Sequence, residues 1–230
     1  MRLEQIGPII FVVVTLIFII VMMVGSRWNR RLLREAWDRV AHSLAPNSEN
    51  IGGRIGHNLF RMVATPKKGA PFRKVNVIMS TMDRENAFHY LLKYIHTDED
   101  ILVFQGDVRD LRSVPNLELI PMTAKILEGR VKVRRPETNG IVEFSTKDFG
   151  YQSEFLVFTK DREFARYILR KKEVQDAIEQ AADTLDRISI SDASPNILVT
   201  FKAQLPKIHQ TTALFHTLGI RVHRYVRSSI

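Results

Sequence analysis

The chain of 230 residues contains no cysteine. Disulfide bonds, thiolate metal sites and cysteine nucleophiles are therefore excluded, and a reducing compartment fits this composition. The H-E-x-x-H, G-x-S-x-G, G-x-x-x-x-G-K-S/T and G-x-G-x-x-G patterns are also missing, so the sequence gives no sign of the enzyme and nucleotide-binding classes that they mark. With 45% hydrophobic and 26% charged residues, the composition is typical of a folded chain.

One long hydrophobic run stands near the amino terminus. It reads IGPIIFVVVTLIFIIVMMV, residues 6–24, and would form about 28 Å of helix, close to the ~30 Å hydrocarbon core of a bilayer. The apolar region of a cleaved signal peptide is shorter, about 7 to 15 residues, and ends in small residues. We therefore predict that residues 1–26 form a retained transmembrane anchor.

Positive charge follows this run directly. Residues 27–75 carry eleven Lys and Arg against three acids, which is +8 of the net +9 of the chain, whereas residues 76–230 sum to +1. An excess of Lys and Arg beside a span favours the cytoplasmic side. We expect a single-pass protein of the cell membrane with its amino terminus outside and its carboxyl-terminal domain in the cytoplasm. The predicted contacts with anionic lipid headgroups are Arg27, Trp28, Arg30, Arg31 and Arg34.

The next two segments are predicted as a stem and a tether. In residues 27–46 an apolar stripe recurs at helical spacing, which indicates an amphipathic juxtamembrane stem helix ended by Pro46. Its members are Leu33, Trp37, Val40 and Leu44. The stripe suits packing on its own domain or pairing with a partner or a second copy of the chain, and we favour the first. Residues 47–72 are rich in Gly and Pro, and we predict a basic tether with a short helix over 54–64.

The basic segment is equally suited to phosphate groups of nucleic acid. The candidate contacts are Arg54, Arg61, Lys67, Lys68, Arg73 and Lys74. Residues 53–56, Gly-Arg-Ile-Gly, match the clamp of KH-type RNA-binding domains, but that clamp joins two helices packed on a sheet. Docking of ribosomes or other nucleic acid at the membrane surface is therefore the alternative function.

Residues 73–230 predict a mixed, mainly antiparallel α+β domain. The predicted strands are 75–79, 101–105, 117–121, 155–159, 187–191, 196–203 and 220–226, with a hairpin over 131–144 turning at Asn139-Gly140. The predicted helices are 85–95, a stretch capped by Asp161 with a bend near Lys171, and 206–218, ended by Gly219.

A resemblance arises from FLVFTKDREFARYIL and ISISDASPNILVTF. The order of an aromatic-rich strand, an acidic residue, a helix start and two strands resembles an uncharacterised family of membrane-anchored domains. The likeness covers about residues 149–202. It implies a membrane-anchored domain and carries no activity with it.

The remaining candidates for chemistry have structural interpretations. Residues 148–150 spell Asp-Phe-Gly, which we interpret as a turn between strands because the other kinase motifs are missing. His209, His216 and His223 are seven residues apart, about 10.5 Å on a helix, which is too far for ligands of one zinc ion bound at about 2.0 to 2.1 Å. We predict no cofactor and no metal. The first cations to examine for an anionic pocket are Arg109, Arg112 and Arg135.

The leading hypothesis is a membrane-anchored cytoplasmic interaction module, an accessory or scaffold subunit of a membrane-associated complex. It combines an anchor, a basic segment and a folded domain without a recognisable catalytic set. An enzyme whose site is assembled from scattered residues is the third hypothesis.

Overall fold

A computed structural model describes residues 3–84, 99–111, 113–122 and 142–228, with side chains from residue 7 onward. The long helix α1, Leu3–Leu44, opens the fold and is followed by strands and three further α-helices within these ranges. The strands are β1 Ser48–Ile55, β2 Leu59–Pro66, β3 Phe72–Ser80, β4 Ile101–Val108, β5 Leu117–Pro121, β6 Val142–Ser145, β7 Phe155–Thr159, β8 Leu185–Ile190 and β9 Ile197–Lys202. The helices are α2 Arg162–Leu169, α3 Lys172–Ala181 and α4 Ile208–Ser228.

The nine strands form one sheet in the order β1-β2-β3-β4-β9-β8-β5-β7-β6, and all neighbours are antiparallel. Alternate residues are buried along most strands; in β4 these are Leu102, Phe104, Gly106 and Val108. This period of two is what places one side of each strand against a core. The predicted mainly antiparallel α+β domain is confirmed, and the strands predicted at 117–121 and 155–159 have these same bounds.

The core lies between the sheet and the four α-helices, each of which contributes buried residues. Phe104 on β4 contacts Phe215 on α4, with ring centroids 5.3 Å apart, and Phe201 on β9 at 5.9 Å. Phe72 at the start of β3 stacks on Phe215 at 4.6 Å. Each of these rings is at most 2% exposed, and aromatic pairs of this kind add to the stabilisation from burial.

The two halves of α1 have different surroundings. The apolar first half is exposed, whereas Leu33, Ala36 and Val40 in the second half are fully buried. Trp37 meets the edge of Phe60 on β2 with ring centroids 5.5 Å apart. The stem helix and the packing of its stripe on the chain's own domain are therefore confirmed. The α-helix ends at Leu44, just before Pro46, as predicted.

The predicted tether over 47–72 was wrong in its structure. Residues 48–66 form the antiparallel hairpin β1-β2, and the predicted helix over 54–64 does not occur. Gly53 reflects close packing, because a Cβ atom there would meet the Arg61 carbonyl oxygen and lie 2.8 Å from the Trp37 ring. Glycine in a strand marks such an approach. The folded domain thus begins with β1 and not at residue 73.

The predicted end of the chain was also wrong. Gly219 does not end a helix, and residues 220–226 are not a strand, because α4 runs without a break from Ile208 to Ser228. Gly219 is needed for contact: a Cβ atom there would lie 2.2 Å from the ring of Phe72.

Several local predictions are confirmed. Asp161 caps α2 by accepting hydrogen bonds from the backbone N–H groups of Glu163 and Phe164, and α2 and α3 are separate helices on either side of Lys171. Residues 146–149 form a short 3₁₀ turn between β6 and β7, as expected for Asp-Phe-Gly. The helix over 85–95 and most of the hairpin over 131–144 lie outside the described residues. Within the described part, β6 pairs with β7.

Candidate functional site

The first half of α1 exposes apolar side chains from Ile9 to Val24. This segment is called the apolar rod below. Its most apolar window of eighteen residues has a mean hydropathy of 3.0 and is 6% buried. By length and composition, this helix is able to cross a lipid bilayer.

A polar junction holds the second half of α1 on the sheet; it consists of Asn29, Asn58, Met82, Arg84 and Asp100. Asn29 is fully buried. Its side-chain amide donates to the Asn58 side chain and the Met82 carbonyl, each at 3.2 Å, and its oxygen accepts from Arg84 at 2.8 Å.

Asp100 completes the polar junction. Its two carboxylate oxygens accept from the Arg84 guanidinium at 2.9 and 2.6 Å, and one of them also accepts the backbone N–H of Met82 at 2.9 Å. The side chains of Arg84 and Asp100 are each 13% exposed. Such paired contacts have a defined geometry, so the polar junction fixes the height and rotation of α1 on the sheet.

The turn between β1 and β2 lies at the same level. This hairpin tip, residues 55–59, exposes two large apolar side chains, with Ile55 39% and Leu59 48% exposed. Asn58 within it contacts Asn29, which is five residues beyond Val24, or about 7.5 Å along the helix axis. The hairpin tip is therefore close in height to the end of the apolar rod.

Two arginines stand directly below the hairpin tip. Arg54 and Arg61 are cross-strand partners in β1 and β2, and both are exposed. Neither forms an ion pair with another residue in the described ranges. Like charges placed opposite each other are destabilising, so this pair favours an anionic neighbour.

The predicted headgroup contacts share the free side of α1. Arg27, Trp28, Arg30, Arg31 and Arg34 are all exposed. Trp28 is 60% exposed and lies beside a groove that also involves Val24, Met82 and Arg84.

A second candidate site lies at the other end of the sheet. This basic cleft of about 500 Å³ has six basic side chains in its lining: Lys67, Lys68, His216, His223, Arg224 and Arg227. The Lys67 ammonium donates to the Pro46 carbonyl at 2.8 Å, which places the basic cleft beside the end of α1. Leu44 is twenty residues beyond Val24, about 30 Å along the helix.

The environment of the basic cleft shifts its two histidines. Burial lowers the pKa of His216. Burial, and after it the charge of Arg227, lowers the pKa of His223, while Asp110 opposes this shift and Arg109 adds to it. Both imidazoles are therefore neutral near neutral pH.

The six cations predicted for phosphate do not form one surface. Arg54 and Arg61 lie near the hairpin tip, Lys67 and Lys68 line the basic cleft, and Arg73 and Lys74 are exposed at the start of β3. Arg109, predicted for an anionic pocket, donates from its side chain to the carbonyls of Ala70 at 3.3 Å and Phe72 at 3.4 Å. It thereby supports the loop beside the basic cleft. Arg112 and Arg135 lie outside the described residues.

Sequence reasoning missed the contribution of α4 to the basic cleft. The seven-residue spacing of His216 and His223 was the available signal, since it keeps both on one face of a helix. The predicted strand over 220–226 hid that face. Across the described ranges, no group of three His, Asp or Glu side chains is placed to hold a metal ion.

The fold is an open antiparallel sheet packed on the second half of a long helix whose apolar first half is exposed. Its candidate sites are the hairpin tip and the basic cleft. Comparison with protein-family models and with curated proteins gives no match. The resemblance of residues 149–202 to a family of membrane-anchored domains therefore stays a prediction.

Proposed function

We propose that this protein is a single-pass, membrane-anchored interaction module whose α+β domain lies in the cytoplasm, as an accessory subunit of a membrane-associated complex. The continuity of α1 carries the proposal, since one helix has an exposed apolar half and a half buried in the domain. A rigid link of this kind holds a domain at a set distance and angle from the bilayer.

The hairpin tip supplies a second contact with the same membrane. Ile55 and Leu59 are level with the boundary region just beyond the apolar rod, where apolar side chains gain by partial burial. Arg54 and Arg61 lie where lipid phosphates would neutralise them. The apolar rod and the hairpin tip together give two points of attachment, which limit the tilt of the domain relative to the bilayer.

The stem has one free side for a partner. Its apolar stripe is buried on the sheet, so pairing with another chain through that stripe would require the domain to undock. A partner that binds the stem would instead contact its charged side, where Arg31, Arg34 and Asp38 are exposed.

The absence of cysteine makes the proposed orientation testable with single thiols. Ala193, exposed in the turn between β8 and β9, is replaced by cysteine in one variant, and Glu4 in another. We expect a membrane-impermeant maleimide to label Glu4→Cys in intact cells and to label Ala193→Cys only after lysis. Labelling of Ala193→Cys in intact cells would refute the proposed orientation. Release of the chain by a carbonate wash would refute the proposed anchor.

The depth of the hairpin tip is tested in the same background. An environment-sensitive fluorophore on Leu59→Cys is expected to shift to the blue in nanodiscs and to be quenched by spin-labelled lipid. The matched control is Thr65→Cys, exposed near the far end of β2, six residues or about 20 Å away. If Leu59→Cys is quenched no more than the weakly quenched control, the hairpin tip is excluded as a membrane contact, while the anchor is unaffected.

Docking of a ribosome or other RNA is the second candidate function, and the pair of Arg54 and Arg61 is the feature that favours it. The nucleic-acid hypothesis assumed a single basic tether, whereas the six cations predicted to contact phosphate are divided among three places in the fold. Affinity purification in mild detergent separates the two, because RNase treatment would remove an RNA-dependent partner and leave a protein-bound one.

A further inference from the structure

The basic cleft has the dimensions and charge of a small-molecule site. Its volume of about 500 Å³ falls among clefts that hold small ligands, about 300 to 1,000 Å³. Lys68, Arg224 and Arg227 form no ion pair with any residue in the described part of the chain. Their charge is therefore available to a ligand.

Two separate parts of the chain supply this charge. Lys67 and Lys68 belong to the connection between β2 and β3, and the other four basic side chains belong to the last four turns of α4. The connection is held in place by Arg109, whose side chain donates to the Ala70 carbonyl and to that of Phe72 at the start of β3. The Lys67 N–H also holds it, by donating to the Asn47 carbonyl at 2.9 Å. Cations are thus held on both walls of one concave surface.

We propose that the basic cleft binds a small organic phosphate of nucleotide size that carries several negative charges. Lysine and arginine on opposite walls contact separate phosphate oxygens, and such charge-assisted hydrogen bonds are the strongest available to these side chains. The two histidines become further positively charged donors when they are protonated.

The source of the phosphate follows from the position of the basic cleft. On the proposed membrane orientation, the cleft lies about 30 Å beyond the end of the apolar rod, outside the reach of lipid headgroups in the same bilayer. A nucleic acid strand would need a continuous basic track. Arg73 and Lys74 at the start of β3 extend the basic surface by only a few residues. Beyond them, the next exposed cation along β2, Arg61, is six residues from Lys67, or about 20 Å.

Binding should depend on pH through His216 and His223. The charged groups facing His223 are Arg227 on its own helix and Arg109 and Asp110 after β4, with Lys67, Lys68 and Arg224 in the same lining. Burial lowers the pKa of His216, and burial together with the charges of Arg227 and Arg109 lowers the pKa of His223, so both imidazoles are neutral without ligand near neutral pH. An anion between them favours their protonated forms, so affinity rises as the pH falls.

The test uses the full chain in nanodiscs and isothermal titration with ATP and with pyrophosphate. Arg224→Gln combined with Arg227→Gln is expected to weaken binding at least about tenfold, since a hydrogen bond to a charged group contributes about 1.5 to 3 kcal/mol. The matched control is Lys171→Gln with Lys172→Gln, two exposed cations at the start of α3, which should leave binding unchanged. Lys68→Gln, at an exposed turn position, replaces the α4 variant if that variant does not fold.

Three further measurements identify the ligand: titration with inositol hexasulfate, competition by anionic lipid, and titration with a short RNA. Inositol hexasulfate, whose charge does not change with pH, should bind more tightly at about pH 5.5 than at about pH 8. Anionic lipid in the nanodisc should not compete with ATP, and competition would assign the site to lipid. The proposal is overturned if neither ATP nor pyrophosphate binds, if the control weakens binding equally, or if only a short RNA binds. These results leave the membrane anchor untouched.

Discussion

Replacing Asp100 with alanine is expected to lower the free energy of unfolding by about 3 kcal/mol, because it leaves the Arg84 charge without its partner in a partly buried site. The Asp100 carboxylate accepts three hydrogen bonds, two from Arg84 and one from the Met82 N–H. All three donors lose their acceptor at once, and the unpaired donors carry a desolvation cost. Arg84 also donates to Asn29, so the loss extends to the contact between α1 and the sheet.

The neighbouring residue provides the control for this prediction. Glu99 pairs with Lys202 at 2.9 Å, but their side chains are 46% and 48% exposed, and an exposed pair contributes about 0.2 to 1 kcal/mol. Denaturant unfolding in detergent, followed by the fluorescence of Trp37, should therefore separate Asp100→Ala from Glu99→Ala by more than about 2 kcal/mol. Equal effects would mean that the polar junction does not hold α1 in place.

The elements that the sequence predicts well are those whose signal is local. The stem stripe repeats at helical spacing, and Leu33 and Val40 from it are fully buried in the structure. The strand over 155–159 is a short apolar run with turn signals on both sides, and Asp161 announces the helix that follows. In each case the residues that define the element also contact each other or the next element.

The elements that the sequence predicts wrongly depend on distant contacts. In residues 48–66 the glycines suggest a loop, but Gly53 lies in a strand where a Cβ atom would meet the Arg61 carbonyl oxygen and the Trp37 ring. In α4 the alternation of Ile220 and Val222 suggests a strand, but Leu218, Val222 and Val226 also repeat every four residues. The structure buries all three, because α4 packs against α1, α3 and the sheet.

The same limit applies to the candidate sites. Composition located the basic stretch, since residues 27–75 hold eleven Lys and Arg, but the distance between Arg61 and Lys67 is set by the extended geometry of β2. The basic cleft required α4 to return beside the β2-β3 connection, and no spacing in the sequence reports that approach. The sequence did not indicate that Ile55 and Leu59 contact the membrane. Their position near the end of the apolar rod follows only from the contact between Asn58 and Asn29.

Gly219→Ala is the second substitution with a large expected effect, a loss of about 2 kcal/mol in the free energy of unfolding. Helix propensity alone predicts the opposite, a gain of about 1 kcal/mol for alanine within a helix. The new Cβ atom, however, would meet three carbons of the Phe72 ring at 2.2 to 2.9 Å. Phe72 is 2% exposed and stacked on Phe215, so it has no free space to enter, and overpacking of this kind costs about 1 to 3 kcal/mol or more.

Gly7→Ala is the matched control, because Gly7 also lies in a helix and a Cβ atom there has no neighbour within 4 Å. A second substitution identifies the cause. Phe72→Leu should be destabilising alone through the cavity it leaves, yet Gly219→Ala added to it should cost less than in the native chain, because the ring that it strikes is gone. Chemical denaturation of the four chains of this double-mutant cycle should give a favourable coupling of at least about 1 kcal/mol. A higher stability for Gly219→Ala alone would show that α4 and β3 are further apart than their contact through Phe72 requires.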